Sequence, residues 1–188
     1  MRTRLLALLI LLVVGLVLPS AGAAHDRSWP AKKLAALLPE AANFAQKQVQ
    51  FTPAQLGWLE KNLGKPVRTE DRAPFFYVGT DAGGRSLGVV VLLDADGVNG
   101  KIEMGEAIDP AGKLLRVVLF EHGEGAAVEK RLFLDQFSGK SANDRFRVGE
   151  DLTAPESAAK SAQVVADAAR RGLLMAMAGL RLGQAGGS

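Results

Sequence analysis

Between Pro74 and Phe120 the chain is cut by turn signals into short β-forming runs, and this pattern leaves an antiparallel sheet as the centre of the fold. Phe75 to Thr80 is rich in aromatic and branched residues and stops at Asp81-Ala82-Gly83-Gly84. Leu87 to Leu93 is a branched apolar run that reads as a central strand, and Asp94 to Gly100, with its Asp-Gly and Asn-Gly pairs, reads as a loop. Lys101 to Ile108 alternates, placing Ile102 and Met104 on one side and Lys101, Glu103 and Gly105 on the other, which predicts one buried and one open face. After the turn Asp109-Pro110-Ala111-Gly112 the run Leu114 to Phe120 pairs back, with Leu115, Val117 and Leu119 opposite Arg116, Val118 and Phe120. Strand, tight turn and strand is antiparallel geometry.

Helices flank this sheet. Ser28 to Leu38 has helical spacing and ends at Pro39; Ala41 to Phe51 reads as extended. Thr52-Pro53-Ala54-Gln55 is a capping box that opens a second helix, with Leu56, Trp58, Leu59 and Leu63 assigned to one face and Gly64 past its end. Thr153-Ala154-Pro155-Glu156 has the same form and is expected to open a long C-terminal helix. Ala158, Ala162, Val165, Ala169, Leu173 and Met177 recur along it at three- and four-residue steps, a stripe that should lie on the sheet. The expected class is therefore α+β, an antiparallel sheet packed by a long C-terminal helix and short N-terminal helices.

Arg2 and Arg4 precede the apolar run Leu5 to Leu18, followed by small residues through Ala24. This is the pattern of a signal peptide at residues 1–24, or of a retained anchor, and it places the domain outside the cytoplasm in the periplasm. Without residues 1–24 the formal balance falls to 21 basic minus 20 acidic residues, or +1, so the charge implies no nucleic-acid partner. There is no Cys, which excludes disulfides and thiolate-held metals or haem, and two His give no basis for a His-rich metal site. Residues 25–73 are read as a helical and extended N-terminal segment, 74–180 as the main domain and 181–188 as a frayed tail.

Gln136-Phe137-x-Gly139-Lys140, then Asp151 and the Val164 to Leu173 helix, resemble the C-terminal half of the periplasmic FMN-binding domain family, the flavin-bearing G and C subunits of Rnf-type and sodium-pumping quinone reductase complexes. Gly100-Lys101-Ile102-Glu103, Ala107-Ile108-Asp109-x-x-Gly112-Lys113 and Glu121-His122-x-Glu124 follow that family's order as well, so the resemblance covers roughly Ser86 to Leu174. In the family a Ser-Gly-Ala-Thr motif before the helix carries FMN as a phosphoester on the Thr. Here Ala158 matches the Ala, but Glu156 replaces the Ser, Ser157 the Gly and Ala159 the Thr. Ala159 has no oxygen to bond phosphorus. The loop that in relatives reads Thr-Pro-Gly-Leu-Gly is Gly125-Ala126-Ala127-Val128 here.

The resemblance implies a flavin site built from the residues on these motifs. A phosphate seated on the N–H groups near Glu156, Ser157, Ala158 and Ala159, helped by the Ser157 or Ser161 hydroxyl, is one reading; an ordinary capped helix whose dipole Glu156 already neutralises is the other. Lys101 and Glu103 either border the cofactor or form a solvated surface pair. His122, with Glu121 and Glu124, is either a proton relay or an ordinary strand-end group. Trp58, Phe75, Phe76 and Tyr77 are assigned to the core in preference to a stacking role.

The first functional expectation is an electron-transfer module that binds FMN non-covalently or at an atypical Ser, between a membrane quinone or cytochrome partner and another acceptor. The second is a degenerate, flavin-free binding or scaffold subunit of an envelope complex. An unrelated small-ligand carrier ranks last.

Overall fold

In the computed structural model the described residues are 28–180 together with Leu182. The leader and nearly all of the tail lie outside them. The chain runs α1 (Ser28–Leu37), β1 (Asn43–Gln48), α2 (Pro53–Leu63), β2 (Phe75–Thr80), β3 (Ser86–Asp96), β4 (Lys101–Ile108), β5 (Leu114–Glu121), the single turn α3 (Arg131–Leu134) and α4 (Ala159–Leu180). The strands form one sheet in the order β1-β2-β3-β4-β5, every neighbouring pair antiparallel. The α+β class is as expected. Among the described residues no helix is long and apolar enough to cross a membrane.

The larger core lies between one sheet face and α4. Phe76, Val89, Val91, Leu93, Ile102, Met104 and Ile108 meet Ala162, Val165, Ala169 and Leu173 of the helix, the stripe anticipated from its spacing. Alanine at these steps lets the helix axis approach the sheet, and the bulky strand residues fill the space between. The opposite face is not open. Leu34, Leu37 and Leu38 at the end of α1 cover Val90 and Ala107, with Leu92, Val118 and Phe120 packed around them. A two-residue period alone cannot show that a helix 70 positions away returns to cover the second face, which explains the misplaced exposure of Gly105.

Three local expectations need correction. Trp58 is 40% exposed and Phe75 45%, whereas Phe76 is fully buried. On α2 only Leu59 is fully covered, because Trp58 sits one residue, about 100° of helix rotation, from it. The segment after Leu93 continues as strand to Asp96, so the connection to β4 is a tight hairpin closed by the Gly97 N–H on the Gly100 carbonyl at 2.8 Å. On β5 the register shifts between Ala107 and Ile108, so Leu115 turns outward at 40% exposure while Leu114 and Val117 are buried.

The α2 capping box forms as read. The Gln55 N–H donates to the Thr52 hydroxyl at 3.3 Å and the Thr52 N–H to the Gln55 side chain at 2.8 Å, with Gly64 ending the helix in the left-handed region at φ 70°. Gln55 Nε2 also donates to the Ala178 carbonyl at 2.7 Å, tying α2 to the end of α4. Thr52→Ala is expected to cost about 1 kcal/mol in urea denaturation, the usual loss for an N-cap hydroxyl.

Candidate functional site

The second capping box does not form. Glu156–Ala158 is a turn of 3-10 helix with Pro155 before it and no side-chain cap, and α4 starts only at Ala159. Thr153 is held elsewhere: its N–H donates to Gln136 Oε1 at 2.7 Å and its carbonyl accepts from Gln136 Nε2 at 2.9 Å. One side-chain amide thus grips both backbone groups of Thr153 and takes the N–H that the Glu156 carboxylate would accept in a capping box.

The rest of the Gln-Phe-x-Gly-Lys motif is structural in the same way. Phe137 is fully buried, edge-on to Phe133 at 5.3 Å between ring centres and tilted against Phe146 at 6.3 Å. Gly139 adopts φ 81° and its N–H donates to the Leu114 carbonyl at 2.7 Å, pinning the turn to β5. Lys140 Nζ lies 2.9 Å from Asp151 Oδ2. Asp151 also accepts the N–H groups of Arg145, Phe146 and Arg147 at 3.2, 3.1 and 2.7 Å. Burial pushes the Asp151 carboxyl up, but these amides and the Lys140 ammonium outweigh it and bring it down to about 2.

Three of the residues singled out from sequence come together at the first turns of α4. Glu124, only 6% exposed, accepts from the Asn99 N–H at 2.7 Å and from the Ser161 hydroxyl, itself 7% exposed. Burial raises the Glu124 carboxyl, and the Ser161 hydroxyl with the Asn99 and Val98 amides more than offsets this, leaving it below its ordinary value. His122 Nδ1 accepts the Glu124 N–H at 3.2 Å, and Nε2 faces the Glu129 carboxylate at 3.5 Å, an arrangement that puts the ring proton on Nε2. Glu124 therefore clamps the β3–β4 hairpin to α4. Gly97 beside it must lack a side chain, since a Cβ would stand 2.6 Å from the Gly100 carbonyl oxygen and 2.9 Å from Glu124 Cδ.

Lys101 and Glu103 belong to the other side of the sheet. They alternate with Ile102 and Met104, which face α4, and pair across the strands with Asp96 and Asp94. Lys101 Nζ lies 3.8 Å from Asp94 Oδ2, and Glu103 is bound by Lys33 of α1. Glu156 and Ser157 are exposed, Ala158 is buried and Ala159 half-buried. The Ala158 and Ala159 N–H groups are spent on the Pro155 and Glu156 carbonyls within the turn.

These residues do not fit the tethered flavin phosphate of the family. The acceptor position has no oxygen, Ser161 gives its hydroxyl to Glu124, a carboxylate stands at the mouth of the helix, and the cation expected to help lies across the sheet.

A buried carboxyl on β4 was not singled out from sequence. Glu106 is fully buried on the α4 face of β4 between Val91 and Val117, and neither of its side-chain oxygens has a hydrogen-bond partner among the described residues. Burial pushes its carboxyl well above the ordinary value, opposed by the Arg171 guanidinium. Gly172 of α4 lies over it, where a Cβ would approach Glu106 Cδ to 2.8 Å. The signal was present in the alternation Ile102, Met104, Glu106, Ile108, which puts the carboxyl on the buried side. Arg171, 5% exposed, donates through Nη1 to Asp71 Oδ2 at 3.0 Å and through Nη2 to the Asp94 carbonyl.

No family profile and no curated protein matches this sequence. Among solved structures the chain is similar to the crystal structure of Shewanella oneidensis NqrC, with a TM-score of 0.53 and 16% identity over 78% of this chain and 84% of that one. The protein thus has an NqrC-like fold.

Proposed function

We propose that this protein is an extracytoplasmic binding subunit with an NqrC-like fold, which docks on a membrane redox assembly and carries no covalent FMN. The observation that carries this reading is the helix start: Ala159 occupies the acceptor position, and the Ser161 hydroxyl two residues on is committed to Glu124. The motif that frames the flavin in the family is retained here as a set of backbone staples through Gln136, Gly139, Lys140 and Asp151. A fold kept while its chemical handle is lost fits a role in assembly.

A second reading keeps FMN as a non-covalent ligand and the protein as an electron carrier to a quinone or cytochrome partner; the similarity to NqrC favours it. One absorbance spectrum separates the two. Protein purified from the cell envelope of a host with a flavin transferase is expected to be colourless, with the intact mass of the unmodified chain. A yellow protein that releases FMN on denaturation would establish the second reading, and a covalent FMN increment abolished by Ser157→Ala would overturn the helix-start argument.

A further inference from the structure

Away from the helix start, a cleft of about 570 Å³ opens between the end of α2, the 145–150 loop and the middle of α4. Five cations line it, Lys61, Lys65, Arg145, Arg147 and Arg170, against two acids, Glu150 and Asp167, for a local balance of five minus two, or +3. Residues 25–188 together carry only +1, so the positive charge of the domain is concentrated here. Asp167 is eight residues beyond Ala159, which at 1.5 Å per residue places the cleft about 12 Å along α4 from the turn discussed above.

Arg145 and Arg147 stand on a fixed backbone. Asp151 gathers the three successive amides of Arg145, Phe146 and Arg147. Phe146 is fully buried and adopts φ 56°, unusual for a bulky residue. The loop is thus nailed to the core through Phe146 while the arginines on either side remain at the surface. Arg170 is steadied by donating to the Asn62 carbonyl at 2.7 Å, and Arg145 by Glu150 at 2.6 Å. Lys61, Lys65 and Arg147 form no ion pair among the described residues.

We infer that this cleft binds a compact polyanion bearing phosphate groups. Guanidinium forks match phosphate oxygens two at a time, and lysines add point charge around them. The volume suits a small ligand. Leu63 is the single large apolar side chain in the lining, so the cleft lacks the aromatic or aliphatic anchors by which peptide partners are usually held, and lacks a platform for a flavin ring. The inference does not depend on whether the helix start holds a flavin.

The test is calorimetric titration of the full exported chain with sodium tripolyphosphate, alongside sedimentation with phosphatidylcholine vesicles with and without phosphatidylglycerol. Saturable tripolyphosphate binding that weakens with salt is expected, as is a loss of at least about tenfold in the Lys65→Ala/Arg147→Ala variant. Both side chains are exposed, so that variant should keep its circular dichroism and melting temperature. Lys47→Glu, on the remote strand β1, is expected to leave binding unchanged. Binding of the anionic vesicles, displaced by tripolyphosphate, would assign a lipid headgroup as the source of the same phosphate chemistry. The inference is overturned if neither probe binds, if Lys47→Glu weakens binding as much as the cleft variant, or if poly-glutamate binds the cleft and tripolyphosphate cannot displace it.

Discussion

Arg171→Met is expected to lower the stability of the domain by about 3–5 kcal/mol, the usual cost of removing one partner from a buried ion pair. The guanidinium is the only cation that both hydrogen-bonds Asp71 and acts on Glu106 among the described residues. Burial raises the Asp71 carboxyl while Arg171 and then Arg68 draw it back, so without Arg171 a largely buried acid loses its larger compensating charge and its hydrogen-bond donor, and keeps only the weaker influence of Arg68. Adding Asp71→Asn to Arg171→Met should recover a large part of the loss, because an amide is less costly to bury than a lone carboxylate. Urea denaturation of the two variants measures both effects. A single variant within about 1 kcal/mol of the parent would show that the cluster is not a determinant of stability.

The same cluster sets a pH dependence with a definite sign. The Glu106 carboxyl titrates higher in the folded state than its ordinary 4.5. Between that value and its raised folded value the native state holds a proton that the unfolded chain has released. This contribution to stability is complete below pH 4.5 and is lost as pH rises, with a limiting slope of about 1.4 kcal/mol per pH unit. Glu106→Gln should remove that slope, so the variant gains on the parent as the solution is made more alkaline. Unfolding free energies measured from pH 5 to pH 8 in about one-unit steps would reveal this, and a parallel pair of curves would contradict a neutral Glu106.

The second large effect is expected at Asp151. Asp151→Ala leaves the Arg145, Phe146 and Arg147 amides and the Lys140 ammonium without their common acceptor and removes the constraint that holds Phe146 at φ 56°. A loss of about 2–4 kcal/mol is expected, since charge-assisted hydrogen bonds are worth about twice neutral ones. Its pH dependence has the opposite sign to that of Glu106. The folded carboxyl lies at about 2 against an ordinary 3.8, so the stabilisation is present above pH 3.8 and is lost as pH falls towards 2. With the side chain 24% exposed, the acid-sensitive part is about 1–2 kcal/mol after allowing for solvent screening. The acid limb of the unfolding curve should flatten in Asp151→Asn, and an unchanged limb would refute the assignment. Maximum stability between the two limbs is the joint expectation.

Local signals in the chain were sufficient for the four strands β2 to β5, though not for every boundary. Branched runs between Asp-Gly, Asn-Gly and Asp-Pro-Ala-Gly turns specify antiparallel pairing from β2 to β5 because the turns allow no long crossover, whereas β1 reaches β2 across α2; the alanine stripe of α4 specifies which helix face meets the sheet. Thr52 and Gln55 made their own cap for the same reason: both partners lie within one turn. Thr153 and Glu156 carried an identical local signal that did not form a cap, because Gln136, 17 residues earlier, reaches both backbone groups of Thr153. Local pattern gives no information about such a competitor.

The candidate site divides along the same line. That Ala159 cannot bear a phosphoester follows from its side chain alone. That Ser161 is already bonded to Glu124, and that Lys101 and Glu103 lie across the sheet from both, required the strands and helix to be assembled. Strand alternation determines that Lys101 and Ile102 face opposite ways, but only the packing decides which of those faces meets α4. The basic cleft is the extreme case: Lys61, Arg147 and Arg170 are far apart along the chain, and only tertiary packing brings their charges to one opening. Bond chemistry and backbone period act over a few residues, whereas charge and hydrogen-bond competition act through space.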